Sequence, residues 1–135
     1  MGITKEQMRD KMKDNKVVVL NVLPESEYLK MHITGSRNQP LKQDHGHFVQ
    51  EVEKQYGRTH SFITYCSDAT CAAGANAAKI LRDHGLQADH YPGGTEEWNN
   101  AGWPTEGTLV VVDEAVLQKN QFFPLGPKMT SNSGI

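Results

Sequence analysis

The chain has 135 residues, 37% of them hydrophobic and 22% charged, and carries a formal net charge of -2. That is enough apolar material for one domain with its own core, and a near-neutral chain without a lysine or arginine cluster argues against a nucleic-acid or anionic-membrane partner. No run approaches the roughly 18 apolar residues of a membrane span, and Met1 to Gln7 lacks a secretory apolar stretch, so the cytoplasm is the expected compartment.

Ile3-Thr4-Lys5-Glu6-Gln7-Met8 has the form of a capping box, with Thr4 as N-cap, Gln7 three residues on and Ile3 able to staple onto Met8; it predicts a helix to about Lys13. Val17 to Val22 is a short β-branched run with no wet face, which is how a central parallel strand reads. Pro24 opens a short helix through Leu29, and Gly35 to Pro40 reads as a short strand. Phe48, Val49, Val52 and Tyr56 recur at helical spacing before Gly57, and Ser61 to Tyr65 is the next strand. Ala73, Ala77, Ile80 and Leu81 give the following helix one apolar face, closed by Gly85. Ala88 to Tyr91 is a strand, and Thr95 is the expected cap of a helix through Trp98 that stops at Gly102. Strands alternate with helices, so the class is α/β with a parallel sheet.

Cys66 stands where the Ser61 to Tyr65 strand ends and a short polar turn opens the alanine-rich helix. Peptide N–H groups of the turn and the positive end of the helix dipole converge there, favouring a thiolate and making Cys66 a candidate nucleophile. Cys71, at the other end of the loop, reads as a small first-turn residue of the helix, with a resolving thiol for Cys66 as the alternative. Two cysteines do not form a disulfide scaffold in a chain of this size, and no Cys-x2-Cys or His-x3-His spacing offers a metal set, so reactive chemistry is the better account of them. His45-Gly46-His47 beside Asp44 reads as solvated histidines in a polar connector, and His32 as a structural hydrogen-bonding residue. Trp98 and Trp103 read as core and cover.

Three segments together carry a family resemblance. Val17 to Gly35, with its acidic Glu25-Ser26-Glu27-Tyr28 helix and the Met31-His32-Ile33-Thr34-Gly35-Ser36 turn, resembles the opening of rhodanese-type sulfurtransferase domains. Tyr65-Cys66 with its six-residue loop resembles their active-site loop, and Pro92-Gly93-Gly94 through Gly102-Trp103-Pro104 resembles their closing motif. The resemblance covers residues 3–107 and leaves 108–135 as a C-terminal extension. It implies a five-stranded parallel sheet with helices on both faces and a cysteine at the carboxyl end of a central strand. It also implies a sulfurtransferase: Cys66 takes a sulfane sulfur as a persulfide from a small-molecule donor and passes it to a thiol, cyanide or a protein acceptor, without metal or cofactor. Backbone N–H groups of Ser67, Asp68, Ala69, Thr70 and Cys71 would form the substrate-binding loop that holds the terminal sulfur's charge.

The chain departs from the family's usual pattern at Asn21 and Leu23, where Asp and Arg are usual, and in a loop whose only charged side chain is Asp68. Thiosulfate is therefore expected to be a poor donor. A related-architecture phosphatase is disfavoured because position 72, where its phosphate-binding arginine would stand, is alanine. A thiol-dependent arsenate reductase, or a non-catalytic rhodanese-like binding module, is the alternative. In the extension, Thr108 to Val112 and Phe122 to Leu125 are apolar enough to require a covering surface, their own domain or a second copy in a weak homodimer, while Lys128 to Ile135 is polar enough to be disordered.

Overall fold

The computed structural model of the protein describes residues 2–108; the expectations for the extension beyond Thr108 lie outside the described residues. Helix α1 (Lys5–Lys11) opens with the predicted capping box: Thr4 Oγ1 accepts from the Gln7 N–H at 3.1 Å, and Gln7 Oε1 accepts from the Thr4 N–H at 2.9 Å. It stops two residues short of the expected Lys13, with Met12 as its C-cap. Strand β1 (Val17–Asn21), helix α2 (Glu25–Lys30), the two-residue strands β2 (His32–Ile33) and β3 (Arg37–Asn38), and helix α3 (His45–Tyr56) follow. Strand β4 (Ser61–Tyr65), helix α4 (Ala73–Asp83), strand β5 (Gln87–His90), helix α5 (Gly94–Asn100) and strand β6 (Thr105–Glu106) complete the order.

The main sheet runs β3-β1-β4-β5 with every pair parallel, and β1 and β4 pair over their whole length, from Val17 opposite Ser61 to Asn21 opposite Tyr65. Among the described residues it therefore has four strands where the resemblance implies five. Among the described residues the position beside β5 holds an isolated parallel bridge from Gly2 to His90, after which the chain turns within two residues into the N-cap of α1. Strands β2 and β6 form a separate antiparallel pair. No helix among the described residues is long and apolar enough to cross a membrane.

Successive strand residues point to opposite faces, and both faces are covered. Val18, Leu20, Val22, Phe62 and Cys66 pack with Phe48, Val49 and Val52 of α3 and with Ala77, Ala78 and Leu81 of α4. Val17, Val19, Ile63 and Tyr65 pack with Met8 of α1, Ile33 of β2 and Trp98 of α5. Each fully buried Leu or Phe, such as Leu20, Phe48 or Phe62, contributes about 1.5–3 kcal/mol.

Two expectations shift. His45 and His47 lie in the first turn of α3 and not in a connector, because Asp44 is an N-cap whose Oδ1 accepts from the His47 N–H at 3.0 Å. Thr95 does not cap α5: Gly93 holds the N-cap position, and Thr95 is buried inside the first turn.

Candidate active site

Because β4 ends at Tyr65, alternation turns Tyr65 to one face and Cys66 to the other. Cys66 is 1% exposed and sits at the edge of the α3 and α4 cluster, with Leu23, Leu41, Cys71 and Ala73 as partly exposed apolar neighbours of that cluster. The site lies at the carboxyl ends of β1 and β4. The chain runs from β1 to β3 on one side of the sheet, then returns to β4 on the other, and such a reversal leaves a crevice between the diverging loops.

The loop from Cys66 to Cys71 is held at its base by the amino end of α5. The Thr95 N–H donates to the Cys66 carbonyl at 3.1 Å, and the Glu96 N–H donates to the Ser67 carbonyl at 2.9 Å. The approach is close enough to demand glycine: Gly94 has φ +66°, and a Cβ there would lie 2.5 Å from the Cys66 carbonyl oxygen and 2.8 Å from the Asp68 nitrogen. In a trans peptide the N–H opposes the C=O, so the N–H groups of Ser67 and Asp68 point away from α5. Ser67, Ala69 and Thr70 are exposed.

Asp68 shapes the loop's far side. Its Oδ1 accepts from the Thr70 hydroxyl at 2.6 Å and the Thr70 N–H at 2.9 Å, and its carbonyl accepts from the Cys71 N–H at 3.2 Å. These bonds, led by the Thr70 hydroxyl, hold the Asp68 carboxyl below its ordinary value. The N–H groups of Thr70 and Cys71 are thus used within the loop, and those of Ser67 and Asp68 turn away from its base.

The turn delivers Cys71 back to Cys66. The two sulfurs are joined as a disulfide, with the Cα atoms 6.3 Å apart, and among the described residues there is no free cysteine. Cys71 is accordingly not a first-turn residue of α4, which begins at Ala73. The sulfur of Cys66 also lies 3.2 Å from the Cys71 carbonyl oxygen. Helix α4 points its amino end at the pair with Ala72 as N-cap and no side-chain cap bond. It is drawn down onto the sheet by Gly74, where a Cβ would stand 3.1 Å from the Tyr65 Cα and 2.9 Å from the His90 ring, and by Thr64, whose Oγ1 donates to the Gly74 carbonyl at 2.6 Å. Burial pushes the His90 imidazole below its ordinary value of 6.5.

On the other face, the Tyr65 hydroxyl accepts from the Ile33 N–H at 2.9 Å and lies 2.7 Å from Ser36 Oγ, which donates to the Ile33 carbonyl at 2.7 Å. Burial raises the Tyr65 hydroxyl's pKa. Beside it, Asn21 is fully buried. Its Oδ1 accepts from the Leu23 N–H at 3.0 Å, and its Nδ2 has no hydrogen-bond partner among the described residues.

The predicted residues Cys66, Ser67, Asp68, Ala69, Thr70 and Cys71 thus form one contiguous loop over the carboxyl end of β4. The histidines lie elsewhere. His32 stacks on Tyr28 with ring centroids 3.8 Å apart and reaches Glu106 at 3.2 Å, while His47 reaches Glu51 at 3.2 Å on α3. Among the described residues no group of three or more His, Cys, Asp or Glu is arranged to hold a metal. Thr64, Gly74, Tyr65 and Ser36 were not singled out from the sequence; a threonine inside an apolar strand and a glycine inside an apolar helix were the available signals.

The family model described as Rhodanese-like domain matches residues 4–101. The chain belongs to the rhodanese-like family. The HTH-type transcriptional regulator Rv0324 of Mycobacterium tuberculosis is 27% identical to this rhodanese-like chain over 105 residues, 78% of this chain and 44% of that protein. The chain thus spans less than half the length of that relative. The BH2092 protein of Bacillus halodurans matches the rhodanese-like fold with a TM-score of 0.69 at 22% identity, over 80% of this chain and 77% of that one. The rhodanese-like domain of the Alr3790 protein from Anabaena sp. matches with a TM-score of 0.66 at 18% identity, over 95% of this chain and 96% of that one.

Proposed function

We propose that the protein is a sulfurtransferase in which Cys66 carries sulfane sulfur. The observation that carries this reading is the Cys66 loop itself. Its carbonyls are tied to α5, its first N–H groups turn the other way, and the uncapped amino end of α4 faces it, so an anionic sulfur is met by backbone dipoles. With the disulfide opened, the Cys66 thiolate attacks the outer sulfur of a donor. The donor's S–S bond breaks, the donor leaves as a thiolate, or as sulfite when the donor is thiosulfate, and Cys66 holds a persulfide. An acceptor thiol or cyanide then attacks the terminal sulfur, and the Cys66 thiolate leaves. Leu23 and Leu41 at the rim, with Asp68 as the loop's only charge, favour a neutral or thiol-bound persulfide over the thiosulfate dianion.

The reduced protein is incubated with glutathione persulfide and weighed by intact mass spectrometry. A gain of one sulfur atom that cyanide removes is expected in the wild type and absent in a folded Cys66→Ser variant, because a serine hydroxyl is not ionised at neutral pH. Retained cyanide turnover in Cys66→Ser would falsify the assignment. The regulator-named relative favours a second reading, in which the same domain serves as a binding module of a larger regulator. Failure to take up sulfur in the wild type and in a folded Cys71→Ser variant alike would select it.

A further inference from the structure

We infer that the loop also reduces the sulfur it carries, with Cys71 discharging the Cys66 persulfide as hydrosulfide at the expense of an external dithiol. The inference rests on the sulfur-loading reading above. Its basis is a cysteine pair that the loop brings into contact. The Cα separation of 6.3 Å falls within the roughly 4.4–6.8 Å that a disulfide spans, and the Asp68 turn fixes it from within the loop. Asp68 and Thr70 are positioning residues for this step: their mutual bonds, together with the Cys71 N–H to Asp68 carbonyl bond, curl the chain so that residue 71 faces residue 66.

The step balances. The Cys71 thiolate attacks Cys66 Sγ, the bond from that sulfur to the terminal sulfur breaks, and its electron pair leaves with the terminal sulfur. The proton given up by the Cys71 thiol ends on that sulfur, so the leaving group is hydrosulfide. The sulfane sulfur gains two electrons, and the two cysteines lose two as they form the disulfide present in this structure. A dithiol of the thioredoxin class, or a small dithiol, supplies the two electrons that reopen the pair.

The two sulfurs differ in a way that sets the direction of reopening. Cys66 is 1% exposed, whereas Cys71 is partly exposed at the apolar rim. The incoming thiolate therefore meets Cys71 first and forms the mixed disulfide there. Cys66 is the leaving group at the amino end of α4, where a thiolate is the better leaving group, and each reduction returns the nucleophile ready for the next donor.

The test compares wild type, Cys71→Ser and Cys71→Ala, each shown to be folded by circular dichroism. Each is reduced, loaded with glutathione persulfide, freed of donor and left without acceptor, while intact mass and released hydrosulfide are followed. The wild type is expected to lose its added sulfur, release about one equivalent of hydrosulfide and finish two hydrogens lighter than the reduced protein. Both variants are expected to keep the sulfur at least about tenfold longer, until cyanide is added. With a thioredoxin-type dithiol and its reductase present, steady hydrosulfide production should fall by about tenfold or more in the variants. Wild type that holds its sulfur as long as Cys71→Ser overturns the discharge step and leaves sulfur transfer standing. Reduced protein that takes up no sulfur in any of the three forms overturns both.

Discussion

Tyr65 and Cys66 are consecutive and both almost fully buried, yet they face opposite sides of the sheet and meet opposite chemistry. Tyr65 ends in a closed polar network with Ile33 and Ser36, so its position is fixed by directional bonds. Cys66 ends among aliphatic side chains, with its polar company drawn from the backbone of its own loop and from the ends of α4 and α5. The difference separates two tasks that one strand end must perform. The tyrosine side anchors the strand to the rest of the domain, and on the cysteine side the sulfur is joined to Cys71 of its own loop by a bond that a thiol can reopen.

The severest way to break this division is at the loop's base. Gly94→Ala places a Cβ against the Cys66 and Ser67 carbonyl region at a positive φ, so it should cost about 3 kcal/mol. Sulfur loading should fall by about tenfold or more, since the loop must lift from α5. Chemical denaturation and single-turnover loading measure the two, and a variant that is destabilised but loads normally would show that the α5 contact has no part in positioning the sulfur. Tyr65→Phe attacks the opposite side. Leaving the buried Ile33 N–H without its acceptor should cost about 2 kcal/mol, with the loading rate per folded molecule within about twofold of wild type. Equal losses of stability and loading rate would erase the distinction between the faces.

Smaller changes sharpen it. Asp68→Asn keeps an acceptor for Thr70 and removes the charge, so kcat/KM for thiosulfate should rise by about threefold at low salt, with the gain shrinking as salt is added and no gain for a neutral donor. Identical thiosulfate kinetics at all salt concentrations would remove charge as the basis of donor choice. The mildest effect concerns His90, which packs against Gly74 below the loop. Burial lowers its folded pKa below 6.5, so on acidification the unfolded chain binds the proton first. The stability contributed by neutral His90 is fully present above 6.5 and declines as pH falls through 6.5 toward the folded value. Thermal melts on either side of 6.5 should show this loss in wild type and a smaller one in His90→Gln.

Much of the strand and helix order, and the contiguous loop with Cys66 at its head, was legible because each rests on local signals. The β-branched Val17 to Val19 run, the Thr4 and Gln7 capping box and the alanine face of α4 are of this kind. What stayed hidden depends on partners far away in the chain. The Tyr65 network joins residues separated by 29 and 32 positions, and a tyrosine within a β-rich run has no local mark that its hydroxyl is committed. Thr95 reads as an N-cap by type, but the Cys66 carbonyl, 29 residues earlier, claims its N–H and pulls it into the first turn. The pairing of Cys71 with Cys66 was masked by its proximity to a helix start. The Asp68 turn takes the Thr70 and Cys71 N–H groups within the loop, and α4 begins two residues beyond Cys71, at Ala73.

The Gly2 bridge beside His90 bears on how the domain behaves in company. An open parallel sheet exposes rows of unpaired peptide groups along its two margins, and such margins recruit strands from other chains. Among the described residues one margin, β3, is two residues long. At the other, the Ile3 N–H donates to the His90 carbonyl at 2.9 Å and the chain then turns into α1, so the carboxyl end of β5 is already occupied. Residues Gly2 and Ile3 therefore act as a guard against edge-to-edge aggregation, and tags or fusions joined directly ahead of Ile3 should be spaced so that this short stretch can still lie along β5.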